Sequence, residues 1–285
     1  MKQNEGALKL VAPSAGAGAT LYCQSWSPQD APKAVIILAH GYDEHSGRYS
    51  YFAEHCVKNG FVVYALDHWG HGKSDGQSGF IPDFSVYLDG LDALIEQVPA
   101  NQKRLPMILV GHSLGGLIAA TYLLNNQSRF AAAVLSGPAI KATQEPSIIM
   151  RWLSKFLSRV APTLGVLALD ANGISRDTEV VADYLADPLV SGSKISARLA
   201  AEMMVQMEKI QSEAAKITIP LMLLHGENDS LTAPEGSVFL HERISSDEKK
   251  LKIYPELFHE VFNEPEKDLV LSDMTDWIKR TIKLE

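Results

Sequence analysis

The sequence predicts an α/β protein with a mostly parallel central sheet, helices on both faces of that sheet, and a helical cap. Short apolar runs recur along the chain, and segments with helical spacing of apolar residues separate them. A short apolar run without alternation fits a strand that is covered on both faces, as strands of parallel sheets are. Strands that alternate with helices are typical of a parallel sheet.

Six apolar runs are the predicted strands, at residues 34–39, 60–66, 107–110, 132–135, 221–224 and 250–254. Helical patterns follow most of them, at residues 49–59, 86–97, 116–125, 237–244 and 268–283. The leader at residues 8–27 alternates loosely between apolar and polar residues, so we expect it to add an antiparallel hairpin to one edge of the sheet.

Residues 141–216 interrupt this alternation. We predict no strand there, because the segment is helix-like throughout and is broken only by turn signals such as Pro162 and Asn172-Gly173. It falls between the fourth and fifth strands, so we interpret it as a helical cap over the carboxyl edge of the sheet, where α/β proteins bind ligands. The expected division is a core of residues 1–140 and 217–285 and a cap of residues 141–216.

Composition excludes several classes of protein. The chain has 285 residues, 46% of them hydrophobic, and a net charge of −8, which argues against nucleic acid as a partner. No run approaches the roughly 20 apolar residues of a membrane span, and the first 13 residues do not resemble a signal peptide. The two cysteines, Cys23 and Cys56, form no disulfide or metal pattern, so we expect a cytoplasmic setting.

A serine stands at the turn between the third strand and the next helix, where residues 111–116 read Gly-His-Ser-Leu-Gly-Gly. A strand, a tight turn and a helix, with small residues two positions before and after a serine, form the context of a nucleophile elbow. By itself, however, this short pattern also fits an ordinary glycine-rich loop. The hypothesis that Ser113 is a nucleophile therefore depends on finding an acid and a base.

Both candidates follow later strands. Asp229 comes just after the fifth strand and His259 just after the sixth. Taken singly, Asp229 also fits a turn and His259 a surface histidine. Together with Ser113, however, they follow three predicted parallel strands in the order serine, acid, histidine. Because a serine hydroxyl needs a base to take its proton and the base needs an acid to orient it, we predict a catalytic triad of Ser113, Asp229 and His259.

The loop after the first strand is expected to complete the site. In this architecture, backbone N–H groups after the first strand and after the nucleophile bind the oxyanion of the reaction, so we assign those donors to Tyr42 and Leu114. We expect Gly41 and His112 to contact the substrate. A second loop, residues 67–76, carries two histidines and two aspartates among glycines. We interpret it as a bracing loop and predict no metal site, because no further cluster completes a ligand shell.

Three strings closely resemble the monoacylglycerol lipase and lysophospholipase-like branch of the α/β-hydrolases. They are His-Gly-x-x-Glu-His-Ser-Gly-Arg-Tyr at 40–49, Asp-x-x-Gly-His-Gly-x-Ser-Asp-Gly at 67–76 and the elbow at 111–116. The resemblance, from about residue 20 to 280, implies an α/β-hydrolase fold with a helical lid, no cofactor, and cleavage of the single ester of a monoacylglycerol. The family triad falls on Ser113, Asp229 and His259. Relatives often have a small or apolar residue followed by Gly where this chain has Tyr42-Asp43.

Residues 147–160 of the cap predict an amphipathic helix. Arg151, Lys155 and Arg159 lie four apart on one face, and the apolar residues on another are Ile149, Trp152, Leu153, Phe156, Leu157 and Val160. In one interpretation this apolar face packs on the edge of the sheet. In the other it lines an acyl tunnel or rests on an anionic lipid surface. We therefore assign Ile149, Trp152, Leu153 and Phe156 as candidate substrate contacts. The second interpretation also predicts peripheral membrane contact through the cap.

Several functions remain open beside hydrolysis of a monoacylglycerol, the small lipid ester that we expect as substrate. The alternatives are a lysophospholipase, a short-chain carboxylesterase and a proline-type aminopeptidase. The aminopeptidase would need a cap carboxylate for the substrate amine, and the candidates are Glu179, Glu202 and Glu208. A non-catalytic binding protein on the same fold is the alternative from another class. Monomer and homodimer are both compatible with the sequence.

Overall fold

The computed structural model describes residues 1–10, 18–143 and 148–284, and it does not describe the side chains of residues 148–151. The strands are Lys2–Lys9 (β1), Thr20–Ser27 (β2), Ala34–Ala39 (β3), Phe61–Leu66 (β4), Met107–His112 (β5), Ala132–Ser136 (β6), Gly165–Leu167 (β7), Ile195–Ser196 (β8), Leu221–Gly226 (β9) and Lys249–Tyr254 (β10). The helices are Ser50–Lys58 (α1), Ser85–Gln97 (α2), Leu114–Asn126 (α3), Ile148–Val160 (α4), Thr178–Ala186 (α5), Ala197–Glu213 (α6), Pro234–Arg243 (α7) and Lys267–Thr281 (α8).

Eight strands form the central sheet in the order β1-β2-β4-β3-β5-β6-β9-β10. Six neighbouring strands pair in parallel, namely β4, β3, β5, β6, β9 and β10. The other two, β1 and β2, form an antiparallel hairpin at one edge of the sheet. The predicted mostly parallel sheet is therefore confirmed. The hairpin begins earlier than expected, because β1 covers Lys2–Lys9.

Both faces of the sheet are covered, which explains why the strands read as continuous apolar runs. All six side chains of β3 are buried. Val35, Ile37 and Ala39 point into a core shared with α2 and α3. The alternate residues of β3 point into a second core shared with α1 and α8. Since successive side chains of a strand point to opposite faces, one short apolar segment contributes to both cores.

The strand order reverses beside β3. The chain runs from β3 to β4 on one side and continues at β5 on the other side. In such a sheet the loops that leave the two central strands diverge and open a crevice at the carboxyl edge. Ala39 at the end of β3 pairs with Gly111 in β5. The loop after β3 and the turn after β5 therefore start side by side, which brings the 40–49 string next to Ser113.

The chain between β6 and β9 holds α4, α5 and α6, and we call residues 148–216 the inserted segment. Our expectation of no strand in this region is wrong, because β7 and β8 form a small antiparallel pair. These strands have three and two residues, which is too short for a period of two to be visible in the sequence. No described helix is long and apolar enough to span a bilayer.

The close contact between α3 and the end of β3 predicts that a side chain at Gly115 lowers the stability of the protein. A Cβ atom at Gly115 would clash with the backbone carbonyl oxygens of Ala39 and His40. Because backbone must then shift, we expect Gly115→Ala to lower the free energy of unfolding by about 1–3 kcal/mol, measured by chemical denaturation. Gly6→Ala is the control, because the new Cβ would lie 3.4 Å from Cys23 Sγ, an ordinary contact. Equal stability of the two variants would contradict the prediction.

Candidate active site

Ser113 occupies a sharp turn between β5 and α3. Its φ and ψ angles are 54° and −118°, a combination that a residue with a side chain rarely adopts. The turn needs glycines around it, because a Cβ at Gly111 would clash with the carbonyl of Gly115. The Ser113 N–H donates to Ser136 O at 2.9 Å. A strained residue that is held in this way at a crevice is typical of functional sites.

The predicted oxyanion donors lie on either side of Ser113. Leu114 is the first residue of α3, so its N–H is at a helix N-terminus, where unpaired N–H groups favour negative charge. Gly41 runs close to the serine: a Cβ at Gly41 would lie 3.1 Å from Ser113 Cβ. A side chain at Gly41 would crowd the serine, and Tyr42, the next residue, lines the same cavity as Ser113.

Asp229 and His259 are hydrogen-bonded to each other. The Nδ1 atom of His259 lies 2.6 Å from Asp229 Oδ2. Asp229 Oδ1 accepts from the N–H groups of Leu231 and Thr232 at 2.8 and 2.9 Å, and the Thr232 hydroxyl donates to Oδ2 at 2.9 Å. These bonds fix the carboxylate from both sides, with Oδ2 directed at the His259 ring.

The pKa values of this pair follow from its burial and its charges. Burial of Asp229 opposes ionisation, but His259 and the hydrogen bonds outweigh it and hold the Asp229 pKa well below its usual range. Burial also opposes protonation of His259, yet the neighbouring charge of Asp229 raises the His259 pKa above the usual 6.5. Glu260 and Glu44 act in the same direction. The pair thus stabilises an imidazolium on His259.

A second histidine bonds the same carboxylate, and the sequence reasoning missed it. His225 Nε2 lies 3.0 Å from Asp229 Oδ2, and both side chains are fully buried. On its other side, His225 Nδ1 lies 2.7 Å from Ser237 Oγ. The signal was present, because His225 directly follows the predicted strand at 221–224, four residues before the acid. Its contact with Ser237, on α7, could not be inferred from spacing.

A buried ion-pair network lies beside His259 and was also missed. Arg48 bonds Glu260 through two nitrogens, at 2.6 and 2.8 Å, and Glu44 through one at 3.1 Å. Burial opposes ionisation of Glu260, but Arg48 outweighs it and lowers the Glu260 pKa. Glu44 also accepts hydrogen bonds from the Gly41 N–H and the Tyr49 hydroxyl. The network therefore holds the loop that carries Gly41.

The loop at residues 67–76 braces the 40–49 string, as its sequence indicated. Asp67 accepts from the Ser46 N–H at 2.9 Å and from the Lys73 N–H at 2.9 Å. The His68 N–H donates to His40 Nε2 at 2.9 Å. Burial is the largest cause that lowers the pKa of His68, to about 3. These side chains hold two loops together beside the crevice.

One small cavity joins the central residues. It encloses about 20 Å³, roughly the room of one water molecule. Its lining residues in the described part of the chain are Gly41, Tyr42, Glu44, His112, Ser113, Leu169, Ala171, Ile174, Tyr184, Leu231, His259 and Glu260. Ser113 and His259 thus share one space, with Gly41 and His112 in its wall. The ring of His112 lies against that of His259 at an angle of 50°, with centroids 4.7 Å apart.

The candidate contacts on α4 lie elsewhere. Trp152, Leu153 and Phe156 are 73%, 52% and 60% exposed, and they do not belong to the described lining of this cavity. The side chain of Ile149 lies outside the described residues. The interpretation that this apolar face packs on the edge of the sheet is therefore wrong for these three exposed side chains. Instead, α4 faces α6 with residues such as Ser158, whose carbonyl oxygen accepts from Arg198 at 2.9 Å.

Known proteins are similar to this chain in sequence over most of its length. The pattern of the serine aminopeptidase S33 family (Hydrolase_4) matches residues 30–266. The chain belongs to this family. A monoacylglycerol lipase of Mycolicibacterium smegmatis is 41% identical over 261 residues, which are 92% of this chain and 93% of that one. The human monoglyceride lipase is 32% identical over 266 residues, which are 92% and 88% of the two chains.

Solved structures of this hydrolase family share the fold. The monoacylglycerol lipase of Paleococcus ferrophilus superposes with a TM-score of 0.83 at 32% identity, over 92% of this chain and 99% of that one. A soluble variant of the monoglyceride lipase of Saccharomyces cerevisiae gives 0.82 at 24% identity, over 93% and 92%. The predicted α/β-hydrolase fold and the family resemblance are confirmed, and the chain is a carboxylic ester hydrolase by family.

The hydrogen bond between Asp229 and His259 predicts how the pKa of His259 depends on the charge of Asp229. We expect the pKa of His259 to lie above 6.5 in the wild type and to fall in Asp229→Asn, because the neutral amide no longer stabilises the imidazolium. The measurement is an NMR titration of the histidine rings, with His259→Gln to assign the signal. An unchanged His259 pKa in Asp229→Asn would contradict the prediction.

Proposed function

We propose that this hydrolase cleaves monoacylglycerols to glycerol and fatty acid through an acyl-enzyme on Ser113. The observation that carries the proposal is the hydrogen bond from His259 to Asp229, with His259 and Ser113 lining the same cavity. The family membership and the relatives named as monoacylglycerol and monoglyceride lipases support the substrate class.

In the proposed reaction, Ser113 Oγ attacks the ester carbonyl while His259 Nε2 takes the hydroxyl proton. Asp229 holds the proton on Nδ1, so Nε2 is free to accept, and it stabilises the imidazolium that forms. The N–H groups of Tyr42 and Leu114 bind the oxyanion. When the tetrahedral intermediate collapses, His259 returns its proton to the leaving glycerol oxygen. Water then hydrolyses the acyl-enzyme by the same route and releases the fatty acid.

The polar wall of the cavity favours a glycerol ester over a peptide with a free N-terminus as substrate. An aminopeptidase needs a carboxylate that is available to a substrate ammonium. Glu44 and Glu260 line the cavity, but both are bonded to Arg48. Glu179, Glu202 and Glu208 do not belong to its described lining. Paired carboxylates still accept hydrogen bonds from hydroxyl groups, so this wall suits glycerol better than a peptide N-terminus.

The size of the cavity supports a mobile cap. We propose that residues 141–216 form the cap, over a core of residues 1–140 and 217–285. Room for about one water does not hold an acyl glycerol, so we propose that residues lining the cavity move apart when the substrate enters. Leu169, Ala171, Ile174 and Tyr184 all come from the inserted segment and line this cavity.

The apolar surface of the cap supports peripheral contact with lipid. The exposed side chains of Trp152, Leu153, Phe156 and Val160 lie on α4, and those of Leu164, Val166 and Leu167 follow it closely. Exposed apolar patches of this kind mark protein or membrane interaction sites. The basic residues Lys155 and Arg159 are exposed on the same helix, where they would meet anionic headgroups. We propose a cytoplasmic enzyme that takes its substrate from a lipid surface.

Removal of the nucleophile tests the reaction. We expect Ser113→Ala to lower kcat for a monoacylglycerol by a factor on the order of 10⁵–10⁶, since only the oxyanion hole and substrate binding still act without the nucleophile. The measurement is release of glycerol, alongside mass spectrometry of the wild type after treatment with a fluorophosphonate, which should label Ser113. Near-normal hydrolysis by Ser113→Ala would rule the scheme out.

A panel of substrates separates the alternatives in the same assay. A monoacylglycerol, a lysophospholipid, a short p-nitrophenyl ester and a proline p-nitroanilide should be compared with Ser113→Ala as the blank. We expect the highest kcat/KM with the monoacylglycerol. A higher value with the lysophospholipid or with the anilide would replace the proposed substrate class, and an inert wild type would favour a binding protein.

Truncation of the apolar surface tests the lipid contact. We expect Trp152→Ala/Phe156→Ala to bind vesicles of anionic phospholipid at least about tenfold more weakly, because two large apolar side chains no longer insert. Flotation with vesicles measures the binding. Leu269→Ala on α8 is the control, because Leu269 is 55% exposed far from this helix in the chain. Equal flotation of all three proteins, or a change only in oligomeric state, would exclude a membrane role.

A further inference from the structure

Asp43 has a backbone conformation that most residues other than glycine avoid. Its φ angle is 53°, in the left-handed region where a side chain is strained and glycine is not. Such a conformation persists only where surrounding contacts hold it. Asp43 directly follows Tyr42, the proposed oxyanion donor. A change in the backbone at Asp43 would therefore turn the peptide groups of the loop that carries this donor.

The contacts that hold the Asp43 side chain come from the inserted segment. Oδ1 accepts from the N–H and the hydroxyl of Ser191 at 3.0 and 2.6 Å. Oδ2 accepts from the Gly192 N–H at 3.0 Å and from the Tyr184 hydroxyl at 3.3 Å. The residue is only 8% exposed, so these bonds to a charged acceptor are shielded from water and are stronger than neutral ones.

Tyr42 is attached to the same stretch of chain. Its hydroxyl donates to Ser193 O at 2.8 Å. We call residues 40–45, between β3 and the turn at Ser46, the oxyanion loop. Residues 191–193 therefore bind two consecutive residues of this loop, Tyr42 through its hydroxyl and Asp43 through its carboxylate. Glu44 supports the same loop from within, because it accepts from the Gly41 N–H and the Tyr49 hydroxyl. Those bonds attach on either side of Asp43 and not to its side chain.

We propose that Asp43 is a positioning residue through which the inserted segment holds the oxyanion loop. Its four hydrogen bonds keep the backbone at a positive φ, and this conformation aims the Tyr42 N–H at the ester carbonyl above Ser113. The oxyanion hole is then complete only when residues 184–193 are seated on the loop. The inference rests on the proposed function, because it assumes that the Tyr42 N–H stabilises the oxyanion.

A pair of substitutions at Asp43 separates the backbone conformation from the carboxylate. Both Asp43→Ala and Asp43→Gly remove all four hydrogen bonds, but only alanine is strained at a φ of 53°. We expect Asp43→Ala to lower kcat for p-nitrophenyl butyrate by about 10- to 100-fold, with little change in KM, because an oxyanion donor acts in the transition state. We expect Asp43→Gly to recover most of that loss.

Two further variants control the experiment. Lys283 also has a positive φ, of 54°. Lys283→Ala and Lys283→Gly therefore repeat the pair of substitutions at a second residue of this conformation, and we expect the two variants to have equal kcat values. Ser191→Ala removes the 2.6 Å bond from the side of the inserted segment, and we expect a smaller loss of kcat than in Asp43→Ala. Titration with a fluorophosphonate counts the competent sites in each preparation, so a folding defect does not pass as a catalytic one.

The outcomes are distinct. If Asp43→Ala keeps the wild-type kcat, the bonds of Glu44 suffice and the inference is wrong. If the alanine and glycine variants lose activity equally, the carboxylate acts in some way other than through the backbone, which also overturns it. An inert wild type, or one in which Ser113 is not labelled, would instead remove the proposed function itself.

Discussion

The close approach of the first turn of α3 to the end of β3 is the constraint on which the rest of the site depends. Gly115 packs against the carbonyl groups of Ala39 and His40 without room for a side chain. This contact makes the turn at Ser113 sharp and places the serine at the crevice where the strand order reverses. Because the loop after β3 starts at the same point, the proposed nucleophile and one proposed oxyanion donor are positioned by a single backbone contact.

The buried charged side chains described beside this turn are all paired or hydrogen-bonded. Asp229 accepts hydrogen bonds on both carboxylate oxygens, and Arg48 lies between Glu44 and Glu260. A buried ion without partners would be neutralised or would destabilise the fold. The same bonds that satisfy these groups also fix their directions. Stability and preorganisation of the proposed site therefore have one physical source, and loss of one partner would affect both.

The inserted segment has two surfaces with different chemistry. Toward the core it contributes Tyr184 and the stretch at 191–193, which bind Asp43 and Tyr42. Toward solvent it exposes large apolar side chains such as Trp152 and Phe156. A movement that exposes the crevice to a lipid surface would therefore also release the oxyanion loop. In this scheme, access of substrate and completion of the oxyanion hole exclude each other until the segment closes again.

The sequence by itself determined the parallel sheet, the order of its strands along the chain and the candidates Ser113, Asp229 and His259. Each of these features is local, since an apolar run or a residue just past a strand is visible within a few positions. It did not reveal the bond from His225 to Asp229, the pairing of Arg48 with Glu260, or the outward direction of Trp152. An amphipathic pattern shows that a helix has two faces but not which one is covered. Only the tertiary structure decided these points, because each depends on which distant segments the fold brings together.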